Sequence, residues 1–380
     1  MIPTVRLFDE DSYLRDFTAN VVLCEPFGEN WAVVLDKTAF FPEAGGQPSD
    51  RGTLDNAAVL DVQIDSDGVI THICDGPVSE SSVCGNIDFD RRFIFMQNHT
   101  GEHIVSGIVN SLYGLDNIGF HLSDEGYVTL DFNGDLTRTQ LDDIEMRANR
   151  ILWRGAPIRA YYPSDEELGV LRYRSKKELE GRVRIVTIEG CDVCACCAPH
   201  LRDAASVGII KLLDTEKMHG GTRIVMKCGE WALGDYRSKY KNVARISAVT
   251  SAKQEDTAAA VERMYGQLSE EKQRISALKR RLIAEMVKTC DPDKGAVFED
   301  ELDIKELQLF ADGLFKTYGG IRGVFSPSGE GYAFAICGKP DVLDRFFADF
   351  RAKFAVRGGG RGGMVQGTVN AQIDDIKLCF

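Results

Sequence analysis

The sequence predicts an α+β protein of several units: a small β-barrel over residues 1–90, an α+β domain over 91–240, a helical, coiled-coil-like linker over 250–292 and an α/β, Gly-rich domain over 298–380. Three observations predict it. Short apolar runs broken by turn residues fill the N-terminal part, the spacing turns helical near residue 91, and apolar residues recur every seven positions after residue 250. A chain of 380 residues also exceeds one ordinary core, and its length suggests about two to three domains.

The elements follow in order. "NVVLCEPFGENWAVVLD", "AAVLDVQID" and "GVITHICD" are short apolar runs separated by Gly, Asp and Asn, as in the strands of a small barrel or sandwich. In "RRFIFMQNHTGEHIVSGIVNSLYG", Phe95, His99, His103, Ile104 and Ile108 recur at helical spacing up to Gly114, which predicts a helix over 91–112. "YVTLDF" reads as a strand, "LTRTQLDDIEMRANRILWRG" as a second helix ending at Gly155, and "RIVTI", "VGIIKLL" and "TRIVMK" as strands. Between about 250 and 290, Val261, Leu268, Ile275 and Leu282 lie seven apart, with Met264 and Leu278 at the companion offset, so a long helix carries an apolar seam. Gly266 and Glu271 interrupt it, which leaves both a helical hairpin within the chain and a dimeric coiled coil open. From about 298, helix-like and strand-like runs alternate before the closing "VRGGGRGGMVQGTV".

Composition removes some functions. The hydrophobic fraction is 44% with no long apolar run, which describes a soluble globular chain rather than a membrane protein. "MIPTVRLFDED" lacks the basic and apolar segments of a secretory leader, so the expectation is a cytoplasmic setting in which 11 cysteines bind metal or pack rather than form disulfides. Cys24, Cys74, Cys84, Cys228, Cys290, Cys337 and Cys379 stand singly among apolar residues and read as small hydrophobes. A net charge of −13 argues against nonspecific coating of nucleic acid. Two stretches depart from it: 172–184 holds six cations against two acids, and 351–373 holds four cations, Arg351, Lys353, Arg357 and Arg361, with no acid.

Chemistry concentrates in three places. "HTGEH" sets His99 and His103 at i and i+4, on one helical face, where two imidazoles can share a metal. "CDVCACCAPH" adds Cys196 and His200, a further pair suited to zinc. A rival is a self-contained knuckle of Cys191, Cys194, Cys196 or Cys197, and His200; another is the inverted zinc-peptidase pattern H-x-x-E-H with Glu102 as base, which would need a distant glutamate as third ligand. The third place is "DKTAFFPEAGGQPSDRG": Gly45 and Gly46 permit positive φ and close approach of a ligand, while Thr38 and Gln47 can hydrogen-bond a small polar substrate.

The order T-x-F-F-P-E-x-G-G-Q, then H-T-x-x-H, then C-x-x-x-H resembles the editing domain of alanyl-tRNA synthetase, and more closely its freestanding AlaX relatives, over residues 1 to about 235. The Gly-rich close resembles the end of alanyl-tRNA synthetases and of DHH-type phosphoesterases, although no Asp-His-His triplet occurs, so the whole resembles the long form of AlaX. The resemblance implies a trans-editing hydrolase that removes serine, and also glycine, from tRNA(Ala). It implies one zinc per chain on His99, His103, Cys196 and His200, with Gln47 and Thr38 at the catalytic site and Gly45 and Gly46 beside the substrate. It also implies a C-terminal region that holds tRNA through Arg351, Lys353, Arg357 and Arg361 or forms a homodimer. Where the family writes C-G-G-T-H this chain has C-C-A-P-H, which makes Cys197 a competitor as ligand. A zinc-stabilised tRNA-binding protein without catalysis is the reading of a different class.

Overall fold

A computed structural model describes residues 2–78, 81–175 and 182–380, so part of the basic run at 172–184 lies outside the described residues. The chain divides into two compact units, Met1–Asn242 and Val243–Phe380. No helix among the described residues is long and apolar enough to cross a membrane.

In the first unit a barrel closes from the strands Asp16–Phe27, Asn30–Leu35, Ile70–Cys74, Ala57–Ile64, Gly52–Leu54 and Ser82–Ile87, in that order around the ring, every neighbour antiparallel. Closure removes exposed sheet edges. Alternation sends one side of each strand inward, as in Ser82–Ile87, where Val83, Gly85 and Ile87 are buried and Ser82, Cys84 and Asn86 exposed. Val33, Leu35, Phe40, Leu54, Val62 and Ile70 belong to the barrel core.

The helix Phe89–Tyr113 follows, capped by the Asp88 carboxylate on the Arg91 amide and ended by Gly114 at φ 65°. Residues 95–109 of it are buried without interruption. That stretch therefore lacks a solvent face, and what surrounds it explains why: the helix Arg138–Arg154, a four-stranded antiparallel sheet (Ile210–Met218, Gly221–Cys228, Tyr127–Phe132, Asn117–Ser123) and a three-stranded antiparallel sheet (Ile158–Tyr161, Ile185–Ile188, Asp192–Ala195). Phe95, Val105, Ile144, Leu152, Val186 and Ile224 share that core.

Barrel and helix are joined by a buried ion pair. Arg92, fully buried in the first turn, donates to the Asp50 carboxylate through Nε at 2.9 and 3.0 Å and through Nη2, while Nη2 also reaches the carbonyl of Ala39 and Nη1 that of Ser12. Asp50 in turn accepts the Phe41 amide at 2.6 Å. One guanidinium thus fixes both ends of the 38–50 loop against the helix.

The second unit holds the 33-residue helix Thr257–Thr289 and a five-stranded sheet ordered Ala296–Phe298, Arg322–Ser328, Gly331–Cys337, Met364–Asn370, Ala355–Gly360, whose first pair is parallel and the rest antiparallel. The helices Ile304–Tyr318 and Pro340–Lys353 cover its opposite faces. The seam residues Val261, Met264, Leu268, Ile275, Leu278 and Leu282 are exposed, and only Ala260, Ile283 and Val287 of that helix are buried. Glycines at the end serve geometry: Gly358, at φ 141°, faces Gly367 across the last strand pair, and a Cβ there would lie 2.2 Å from the Gln366 carbonyl oxygen.

Removing one partner of a buried ion pair strands the other, so Arg92→Met is expected to destabilise the first unit by about 3–5 kcal/mol, read from chemical denaturation. A loss below about 1 kcal/mol would show that the pair does not fasten the loop.

A converging histidine and cysteine cluster at the mouth of a cavity

The site is built on the helix Phe89–Tyr113 and the loop that leaves the strand Asp192–Ala195. His99 and His103, one turn apart, put their ring centroids 5.4 Å from each other; His200 lies 4.8 Å from the first and 4.6 Å from the second. Cys196 Sγ completes the group at 3.6 Å from His99 Nε2 and 3.3 Å from His200 Nε2. All four ligand atoms fall within 4.8 Å of one another. A tetrahedral zinc with bonds of about 2.0–2.3 Å needs ligand atoms roughly 3.3–3.8 Å apart, so the spacing suits the ion.

The ring orientations give a second test of fit. His99 Nδ1 donates to Gln47 Oε1 at 2.7 Å, His200 Nδ1 to Thr100 Oγ1 at 3.1 Å and His103 Nδ1 to Asp192 Oδ2 at 3.0 Å. With each Nδ1 so occupied, each Nε2 is the nitrogen left for a metal, the arrangement metal-binding histidines adopt. Asp192 is itself held by Arg174 in a two-pronged pair at 2.8 and 2.8 Å. The donor set and its outer partners therefore fit zinc.

Protonation agrees with that use. Burial pushes the Cys196 thiol up, but His99 and His200 outweigh it and hold the thiol well below its usual range. Burial pushes His200 down to about 3. His103 goes the other way: burial opposes its charge, yet Glu102, Cys194 and Asp192 raise it well above the ordinary imidazole value. His103 thus holds a proton that a bound cation would displace.

The rival ligand sets do not form. Cys191 and Cys197 belong to none of the metal-competent groups among the described residues, and burial raises their thiols to about 12 and about 11, which corrects the expectation that Cys197 competes. Cys194 is grouped with His103 and Asp192, on the Nδ1 side of the ring, where Asp192 serves as outer partner. Glu102 accepts from Ser106 Oγ and Asn117 Nδ2, each at 2.7 Å, and its other oxygen lies 3.7 Å from His103 Nε2. A peptidase would require a carboxylate as third ligand, and Cys196 and His200 stand there instead.

A cavity of about 560 Å³ opens beside the cluster, with His99, His103 and Cys196 on its wall and Arg6, Tyr162 and Arg182 among its other lining residues. Gly45 and Gly46, at φ 60° and 83°, line it too; a Cβ on Gly46 would meet the Phe120 carbonyl oxygen at 2.3 Å. Gln47 is fully buried and itself absent from the cavity wall, reaching the site through its neighbour Gly46 and through Oε1 on His99, and its Nε2 has no hydrogen-bond partner among the described residues. Thr38 is placed differently from expectation. It is fully buried and absent from the cavity wall; its hydroxyl donates to His72 Nε2 at 2.8 Å and accepts the Phe40 amide at 3.1 Å. His72, which burial pushes down to about 4, stays neutral to accept it. Arg351, Lys353, Arg357 and Arg361 are all exposed and lie in the second unit.

Sequence reasoning missed Asp192, Thr100, Arg174 and Phe120, whose ring centroid is 4.6 Å from that of His99. Asp192 sits inside the quoted cysteine run, so it was in view, but nothing in its spacing says that a strand edge turns it toward a helix 89 residues earlier. Arg184, on the cavity wall, shapes the ligand loop by donating to the carbonyls of Cys196 and Ala198 at 3.2 and 2.8 Å.

Known proteins resemble this chain along most of its length. The family model "Threonyl and Alanyl tRNA synthetase second additional domain" matches residues 183–225. An alanine–tRNA ligase of Ignicoccus hospitalis is 31% identical over 323 residues, 81% of this chain and 35% of the ligase. The alanyl-tRNA editing protein AlaX-L of Pyrococcus horikoshii is 32% identical over 238 residues, 60% of this chain and 59% of that protein. The alanyl-tRNA editing protein Aarsd1-A of Xenopus laevis is 28% identical over 389 residues, 95% of this chain and 92% of that protein. The chain thus spans about a third of the ligase and under two thirds of AlaX-L.

Two outcomes follow from the geometry. Zinc uptake near pH 7 is expected to displace the proton held by His103, whose imidazole is raised well above its ordinary value; calorimetry in buffers of different ionisation enthalpy measures the release, and uptake with no proton released would contradict the assignment. Asp192→Ala is expected to weaken zinc binding about 10–100-fold in chelator competition, through loss of the hold on His103.

Proposed function

Because the chain belongs to the family of AlaX-type alanyl-tRNA editing proteins, we propose that it hydrolyses the ester joining a wrong amino acid, chiefly serine and secondarily glycine, to tRNA(Ala). The observation that carries the proposal is the cluster of His99, His103, Cys196 and His200, three of which line a cavity, with the buried amide of Gln47, its nitrogen unpartnered among the described residues, bonded to the first of them.

A synthetase pocket shaped for alanine cannot strongly reject an isostere that adds a hydroxyl or one that lacks a methyl, since such differences are worth about 1–3 kcal/mol. A second site that rejects alanine solves this. The same site needs a polar group that serine satisfies and alanine leaves unpaired.

Bound at His99, His103, Cys196 and His200, one zinc per chain would supply a Lewis acid and a fixed point for the cavity. Four protein ligands close a tetrahedral shell, so the work of positioning falls to the chain. Gln47 uses its oxygen to orient His99 and keeps both Nε2 hydrogens for the substrate, either the ester carbonyl as negative charge develops on it or the serine hydroxyl. Gly45 and Gly46 let the ester approach backbone, and the substrate's own hydroxyl helps hold the attacking water. Thr38 acts from within the barrel, holding the start of the Gln47 loop through His72 and Phe40 rather than touching the substrate. Arg351, Lys353, Arg357 and Arg361 are assigned to tRNA phosphates, and the second unit to a homodimer contact in the cytoplasm.

The test is release of labelled serine from Ser-tRNA(Ala), with Ala-tRNA(Ala) as control. Selective release supports editing; tRNA binding without release would leave a binding protein instead. Gln47→Ala is expected to lower turnover about 100-fold with zinc retained. Gln47→Glu, which keeps the oxygen facing His99 but loses the donor, should fall comparably; full activity in either variant removes Gln47 from the mechanism.

A further inference from the structure

One to two turns beyond His103 on the same helix, two concavities of about 460 and 260 Å³ share Gly107, Ser111, Gly190 and Cys191 as common floor and so form one groove. Its walls carry five arginines. Arg147, Arg150 and Arg154 stand at i, i+3 and i+7 on one face of the helix Arg138–Arg154, and Arg172 and Arg174 come from the segment that runs along the strand Asp192–Ala195, where the Arg174 amide donates to the Val193 carbonyl. Two are neutralised in place, Arg147 by Asp143 and Arg174 by Asp192. Arg150, Arg154 and Arg172 are exposed and have no ion pair among the described residues.

We propose that this groove is a second contact surface for the substrate tRNA, in which Arg150, Arg154 and Arg172 hold phosphates of its duplex backbone. The inference rests on the reading of the chain as a tRNA editing enzyme, and it adds a surface distinct from the cavity, joined to it through Arg174, Asp192 and His103. Like charges one turn apart on a helix disfavour it by a few tenths of a kcal/mol per pair, so Arg150 and Arg154 are not there for helix stability, although Arg154 also complements the helix C-terminus. In a chain of net charge −13, three guanidinium groups with no ion pair among the described residues, drawn from two separate segments, form a local cationic site. Their division between two adjoining concavities, Arg172 in one and Arg150 and Arg154 in the other, suits successive phosphates rather than one small anion. The floor suits backbone approach: a Cβ on Gly190 would meet open space, and Ser111 presents an exposed hydroxyl of the kind that pairs with a ribose 2′-OH. Because no base edge is reached, binding through this groove depends on charge and duplex shape.

The test measures binding of uncharged tRNA(Ala) by fluorescence anisotropy between 50 and 200 mM salt, so it does not depend on hydrolysis. Combined R150Q, R154Q and R172Q are expected to weaken binding about tenfold or more at 100 mM salt and to flatten the slope of log K against log salt by about two to three. R150Q with R172Q alone, which leaves the helix end untouched, is expected to flatten it by about one and a half to two and keeps the test valid if the triple variant unfolds. Unchanged affinity and slope in both would overturn the groove, as would binding of an acidic polypeptide there in place of tRNA. A parent protein that binds tRNA with this salt dependence but releases no serine would refute the editing reading and leave the groove standing.

Discussion

The site depends on one helix being held from outside by a single buried ion pair. Arg92 and the ligands His99 and His103 lie on the same helix, within three turns. Through Asp50 and the Ala39 carbonyl, the guanidinium fixes the loop that delivers Gly46 and Gln47 to His99. A charge with no water around it must be paired and hydrogen-bonded at nearly every donor, and Arg92 is. The cost of a slip in the loop is therefore borne at a buried charge, which makes the loop's position a consequence of the barrel's closure rather than of local turn preference.

The cluster divides its tasks by nitrogen. Every Nδ1 is spoken for by a different kind of oxygen, an amide, a hydroxyl and a carboxylate, and every Nε2 faces Cys196 or its neighbours. Only the carboxylate brings charge, and it acts on His103, the ligand that keeps a proton in the ion-free chain. Asp192 can be that close to a buried imidazole because Arg174 compensates it; burial alone would raise its carboxyl, and the two partners hold it below the usual range. The outer shell is therefore a chain of alternating charge running from the surface groove to the ligand, Arg174 to Asp192 to His103.

Much of this was legible in the sequence, and the illegible part has a common cause. The barrel showed through turn residues between short apolar runs, the helix through spacing, and the clustering of His99, His103, Cys196 and His200 partly through i, i+4 pairs that are local in both segments. Local pairs can be read because the backbone alone places them. Thr38 could not: as a polar residue opening a Gly-rich loop it looked exposed, and only the closed barrel shows that it points at His72, 34 residues on. Asp192 and Thr100 pair with residues about 90 and 100 positions away, distances set by the packing of a strand edge on a helix and by no period in the chain. The seam after residue 250 was legible as a helix but not as a contact, since periodicity says which residues share a face and nothing about what covers it.

Net charge misled in a related way, because arginine is spent in two forms here. Arg92, Arg184 and Arg174 are consumed by Asp50, Asp9 and Asp192 as fasteners inside the fold, and contribute nothing to the field outside. Exposed charges farther from a given point than the screening length, about 8–10 Å at physiological salt, act on it little. A phosphate in the groove beside Arg150, Arg154 and Arg172 therefore responds to those three charges and to the neutralised pairs next to them, and little to the total of −13. An overall negative charge then suppresses adhesion to arbitrary polyanions except where exposed cations have no acidic partner among the described residues.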